Sequence, residues 1–126
     1  MSGGAESPRV IPMIHVPDVR QTAEWYREIG FQVEGIYDDG EEATFAVLSF
    51  GATQVYFNCG GTPSDARRRE ADLYVHTSQI DALHERLRDR VDVVEPPHDT
   101  FYGARELIIR DLNRFWITFG EPAAKP

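Results

Sequence analysis

Thr100-Phe-Tyr-Gly-Ala-Arg-Glu-Leu-Ile-Ile-Arg-Asp-Leu-Asn-Arg-Phe-Trp-Ile-Thr-Phe-Gly-Glu121 decides the fold. Two runs rich in β-branched and aromatic residues flank a polar turn at Asp111–Arg114, which is a hairpin pattern. In the first run Leu107 and Ile109 alternate with Glu106, Ile108 and Arg110. In the second, Phe115, Ile117 and Phe119 alternate with Trp116, Thr118 and Gly120. Side chains alternate across a strand, so each strand has one apolar and one mixed face. An apolar wall with a few placed polar groups suits ligand binding.

Working outward, the chain carries the same pattern twice. Val10–Val16 reads as a strand with prolines near its ends, and Asp18 caps a helix along which Val19, Ala23, Tyr26 and Ile29 recur. Gly30 follows the helix, where a left-handed residue is expected. Strands are predicted over Phe31–Tyr37, Thr44–Phe50 and Thr53–Asn58, the first two joined by an acidic turn around Gly40. The second copy begins with a strand at Ala71–Thr77. Ser78 is the expected cap of a helix lined by Ile80, Leu83 and Leu87, with Asp81 reciprocal to it. Val91–Val94 reads as a short strand, Glu95–Asp99 as a loop, and the opening hairpin closes the unit. The copies stand about 60 residues apart, a constant offset that signals duplication.

The chain has 126 residues, about one domain by length. Its net charge of −8 disfavours a nucleic-acid backbone as partner. The Arg67–Arg69 run reads as a solvated face. No stretch is long and apolar enough for a membrane span, and the first residues lack a secretory core, so a cytoplasmic protein is expected. The lone Cys59 excludes an internal disulfide and reads as a structural thiol.

Three pieces in order carry a family resemblance: Val16-Pro17-Asp18-Val19; Trp25-Tyr26 with Ile29-Gly30-Phe31; and Tyr102-Gly103-Ala104-Arg105-Glu106 leading to Asp111-Leu112-Asn113-Arg114. Together they resemble the vicinal oxygen chelate superfamily of glyoxalases, bleomycin-resistance proteins and extradiol dioxygenases, nearest its bleomycin-resistance-like branch. Leu112 and Arg114 depart from the proline and glycine usual in the last turn. The resemblance implies an α+β fold of two βαβββ modules with curved mixed sheets, over 10–59 and 70–121. A linker at 60–69, a disordered 1–9 and a tail at 122–126 complete the expected layout.

The family's enzymes hold a divalent metal on four strand positions, which fall here on Ile11, Gln54, Asp72 and Thr118. Only Asp72 is a strong ligand, so no metal and no other cofactor is expected. The resemblance then implies a small-molecule binding protein, a homodimer whose cups hold an amphipathic or cationic ligand. The expected ligand-binding residues are His15, Gln54, Tyr56, Asp72, Tyr74, His76, Tyr102, Glu106, Trp116 and Thr118. Glu106 reads as an acidic anchor, a general base, or one half of a salt bridge to Arg110 or another cup residue. Tyr56, Tyr74 and Trp116 either stack a flat ligand or pack at a subunit interface. Phe101-Tyr102-Gly103 reads as a loop able to act as a lid. The alternative is a lyase, isomerase or dioxygenase with a rearranged metal site of His15, His76, Asp72 and Glu106.

Overall fold

The computed structural model describes residues 8–122. The fold is α+β, with eight strands and two helices among the described residues. The expected unstructured ends, 1–9 and 122–126, lie outside the described residues except for Pro8, Arg9 and Pro122. Arg9 donates from Nη2 to Gln54 Oε1 at 2.9 Å, and Pro122 ends the last strand. The chain divides into two compact units, Met1–Pro63 and Ser64–Pro126.

The first unit contains β1 (Met13–His15), α1 (Val19–Glu28), β2 (Gln32–Asp39), β3 (Glu42–Phe50) and β4 (Thr53–Asn58). Its sheet order is β1-β4-β3-β2, with β1 parallel to β4 and the other pairs antiparallel. β1 is shorter than expected because Pro12 and Pro17 bracket it and cannot donate to the ladder. Its ends are still bonded, through Tyr56 N–H to the Pro12 carbonyl (2.9 Å) and Val16 N–H to the Asn58 carbonyl (2.8 Å). Asp18 Oδ1 accepts the Gln21 N–H at 2.9 Å, so the helix starts where the sequence places its cap. Gly30 follows it at φ +115°, a conformation that costs little only without a Cβ.

The α1 stripe of Val19, Ala23 and Tyr26 buries against Phe31, Leu48, Val55 and Phe57. The Tyr26 ring centroid lies 4.8 Å from that of Phe57 and 5.1 Å from that of Phe31. Each such side chain contributes roughly 1.5–3 kcal/mol by leaving water. Cys59, just past β4, is exposed.

The second unit repeats the order with β5 (Asp72–His76), α2 (Ile80–Leu87), β6 (Asp92–Asp99), β7 (Ala104–Arg110) and β8 (Trp116–Pro122). Its sheet order, β5-β8-β7-β6, matches that of the first unit strand for strand. Ile80, Leu83 and Leu87 bury against Leu107, Ile109, Ile117 and Phe119.

Two local expectations fail here. Ser78 does not cap α2: Gln79 precedes the helix in the left-handed region at φ 59°, and no side chain at the cap position accepts. The Ile80 N–H instead donates to Glu121 Oε1 at 3.3 Å, a partner brought in by β8. Asp81, expected opposite Ser78, pairs with Arg105 through both carboxylate oxygens at 2.9 and 3.0 Å. The expected loop Glu95–Asp99 is the continuation of β6. Pro96 and Pro97 are accommodated because β6 is an edge strand whose register breaks between Val93 and Glu95 and between Glu95 and His98.

The residues before β5 are fastened to the β7–β8 hairpin, while Arg67 and Arg68 stay exposed as the solvated reading of the run expects. The Arg67 carbonyl accepts from Arg110 Nε (3.0 Å) and Trp116 Nε1 (3.1 Å). Arg68 and Arg69 lie over the Trp116 and Phe115 rings at 4.1 and 4.4 Å. Arg114 sits at φ 76°, keeping the left-handed turn without the usual glycine. Its side chain is held by the Ala66 carbonyl at 2.7 Å, and the turn by Asp111 Oδ1, which accepts the Asn113 and Phe115 N–H groups at 2.8 Å.

Candidate functional site

Each helix covers one face of its sheet, so the mixed residues gather on the other. In the second unit the register sets them in rows. His76 lies opposite Gly120, and Gly120 opposite Glu106; Tyr74 lies opposite Thr118, and Thr118 opposite Ile108; Asp72 lies opposite Trp116, and Trp116 opposite Arg110.

The centre of this face is Glu106, a carboxylate only 4% exposed. Tyr74 donates its hydroxyl to Glu106 Oε2 at 2.7 Å, and Tyr102 donates to the same oxygen. Tyr74 reaches it diagonally, across Gly120. A Cβ at residue 120 would overlap the Tyr74 hydroxyl. Tyr102 arrives from the Thr100–Gly103 turn, whose ends are tied by Thr100 N–H to the Ala104 carbonyl at 2.8 Å. The two rings remain about half exposed, at 48% and 58%, while their hydroxyl ends turn inward. Partial burial, then the bond to Glu106 and its charge, push the Tyr74 phenol up to about 12. The hydrogen bond to Glu106 comes first among the causes that raise Tyr102. Both phenols are therefore neutral donors at neutral pH. The His76 ring stands edge-on to Tyr74 at 5.2 Å, and Thr118 is buried beside them.

The Asp72–Trp116 row is closed in a different way. Arg68 stacks on Trp116 and donates to Asp72 Oδ2 at 2.7 Å, while the indole N–H is spent on the Arg67 carbonyl. One face of the expected stacking platform is thus covered by the chain's own guanidinium. Arg110 pairs with Asp92 and not with Glu106, which answers the salt-bridge alternative for that carboxylate.

The first unit presents a more aromatic face. Tyr56 meets Phe45 edge-on at 5.1 Å, and Phe45 meets Tyr37 at 6.0 Å. Gly35 leaves room for Tyr37, whose hydroxyl would lie 2.9 Å from an added Cβ. The His15 Nδ1 lies 2.9 Å from the Cys59 carbonyl, and the Gln54 amide oxygen is taken by Arg9. His15, Gln54 and Tyr56 thus belong to one unit, and the other seven expected site residues to the second.

Sequence reasoning missed Gly120 and Arg68. Gly120 was detectable, since a glycine inside a strand marks a close approach. Arg68 was not, because the ring on which it stacks, Trp116, lies far along the chain.

A family model matches residues 10–119. The chain belongs to the Glyoxalase/Bleomycin resistance protein/Dioxygenase superfamily. Among curated proteins, none matches it. Solved structures of this superfamily's fold are similar at low identity. TioX from Micromonospora sp. ML1 is 20% identical with a TM-score of 0.74, covering 92% of this chain and 99% of its own. The bleomycin-binding protein from bleomycin-producing Streptomyces verticillus, solved with copper(II)-bleomycin, is 19% identical with a TM-score of 0.67, covering 96% and 99%. A bleomycin resistance determinant encoded on the transposon Tn5 is 12% identical with a TM-score of 0.71, covering 94% and 100%.

The four residues expected at metal positions from the resemblance do not suit a divalent ion. Ile11 has no donor, the Gln54 oxygen is engaged by Arg9, Asp72 is paired with Arg68, and Thr118 offers a neutral hydroxyl. The rearranged set fares no better: Glu106 is bonded to two tyrosines, and no three His, Cys, Asp or Glu side chains converge among the described residues. No described helix is long and apolar enough to cross a membrane.

Proposed function

We propose that this protein binds and sequesters a small amphipathic or cationic molecule, in the manner of the bleomycin-resistance branch, in a cup completed by homodimerisation. The observation that carries the reading is the helix-free face of the second unit. There a buried carboxylate, Glu106, is bracketed by two half-exposed tyrosine rings with His76 and Thr118 alongside. Mostly aromatic walls around few polar groups are what a ligand site requires. The net charge of −8 favours the approach of cations. Bleomycin binding by the Streptomyces protein of the same fold supports the ligand class.

Isothermal titration with metal-free bleomycin, copper-loaded bleomycin and a flat cationic dye tests the reading. Saturable binding is expected at one or two sites per dimer, with the ligand recovered chemically unchanged. Light scattering on the same samples reports the dimer. A ligand converted to product on incubation, or no binding of any of the three, overturns sequestration of this class.

A further inference from the structure

Resting on the binding reading above, we propose that Glu106 seats one protonated amine of the ligand, and that Tyr74, Tyr102 and Gly120 shape this seat for a single ammonium rather than a forked guanidinium.

A carboxylate is seldom buried without a cationic partner. Glu106 is 4% exposed, yet no Lys, Arg or His pairs with it among the described residues. Its hydrogen bonds are also lopsided. Both phenols donate to Oε2, and Oε1 accepts from no described residue. A buried acceptor without a donor is costly, so the site is chemically incomplete as it stands.

The free oxygen calls for a donor of definite shape. A guanidinium binds a carboxylate best through two parallel N–H bonds, one to each oxygen. Oε2 already takes two phenol protons, which leaves Oε1 for one compact donor. An ammonium fits that demand. The half-exposed Tyr74 and Tyr102 rings stand beside the same carboxylate and give the carbon skeleton of an amine an apolar surface. Gly120 keeps the arrangement: any side chain at that position displaces the Tyr74 hydroxyl.

The two cationic features of this face are then complementary. The Trp116–Asp72 row already holds a guanidinium, that of Arg68. The Glu106 row, which runs from His76 through Gly120 and Glu106 to His98, holds no Lys or Arg, and neither histidine pairs with the carboxylate.

Three probes sharing one ring test the seat: tryptamine, its neutral analogue indole-3-ethanol, and its guanidine analogue. Each is titrated calorimetrically into the full chain at neutral pH. Tryptamine should bind at least about tenfold more tightly than the alcohol, since a charge-assisted bond is involved, and more tightly than the guanidine. Glu106→Gln should erase the preference for the amine. Gly120→Ala and Tyr74→Phe, which keep the carboxylate, should reduce it, and they carry the test if Glu106→Gln fails to fold. Equal binding of amine and alcohol overturns the seat while leaving the binding reading standing. Tighter binding of the guanidine overturns the single-donor geometry. No binding of any probe at about 10 mM overturns both for this face.

Discussion

The hydroxyl of Tyr74 occupies the space that a side chain on Gly120 would need. Gly120 lies opposite both His76 and Glu106 in the ladder, so removing its side chain opens a diagonal lane across β8. Tyr74 uses that lane to reach Glu106 at 2.7 Å. The obstructing group is the far end of a side chain, so Gly120→Ala should move the phenol without breaking the sheet.

Alkaline titration of tyrosine absorbance reads this directly. One phenol should ionise near pH 12 in the parent protein, and closer to the ordinary value of about 10 in Gly120→Ala or Glu106→Gln. The folded state raises this group's pKa, so its contribution to stability is whole below pH 10. That contribution is lost as pH rises from 10 through 12. The variants should accordingly show a weaker fall in melting temperature across that window. A late phenol unchanged in Glu106→Gln would show that Glu106 is not its cause, and one unchanged in Gly120→Ala would show the same of the burial of Tyr74.

The two helices should respond differently to loss of their expected caps. Asp18→Ala should cost about 1 kcal/mol, because Asp18 closes the first turn of α1. Ser78→Ala should cost close to nothing. Glu121→Ala should cost about 0.5 kcal/mol, because its carboxylate takes the Ile80 N–H over a long 3.3 Å. Urea melts of the three variants check the order.

Gly61 is constrained by backbone rather than by a side chain. A Cβ there would overlap the His15 carbonyl, while Gly61 N–H donates to the Val16 carbonyl at 3.2 Å. Neither group can step aside as Tyr74 can. Gly61→Ala should destabilise the fold by about 1–3 kcal/mol, more than Gly120→Ala does, in the same melts.

Arg68 competes with any flat cation for Trp116. Arg68→Ala uncovers the ring and frees Asp72. Exposed cation–π contacts are worth about 0.5–1 kcal/mol, so affinity for a flat cationic dye should rise about two- to fivefold. Fluorescence titration measures this. A loss of affinity would assign Arg68 to the ligand rather than against it.

Much of this was legible in the residues, and what was not had a local cause. Thr53–Asn58 was placed to the residue because strict alternation over a strand admits one register. The Asp18 cap was legible because its acceptor lies three residues before its donor. The α2 cap was not, because its acceptor, Glu121, arrives from β8, a distance along the chain that no local pattern reports. β6 was cut short because two prolines argue against a ladder unless an edge with shifted register is known in advance. At the site, alternation alone put Tyr74, Glu106, Trp116 and Thr118 on one face. It did not say that Trp116 would be covered by the preceding segment, or that two phenols would share one oxygen.

The same two prolines have a consequence for handling the protein. An outer strand with free N–H groups is a template on which other chains can grow. β6 lacks two of those donors at Pro96 and Pro97 and is kinked on either side of Glu95. β2, the matching outer strand of the first unit, is broken in register twice and ends in Asp38 and Asp39. Each sheet therefore ends, on its longer edge, in a strand that resists extension. Concentrated solutions should stay free of fibrils, and any strand-to-strand joining of copies is left to the short edges β1 and β5.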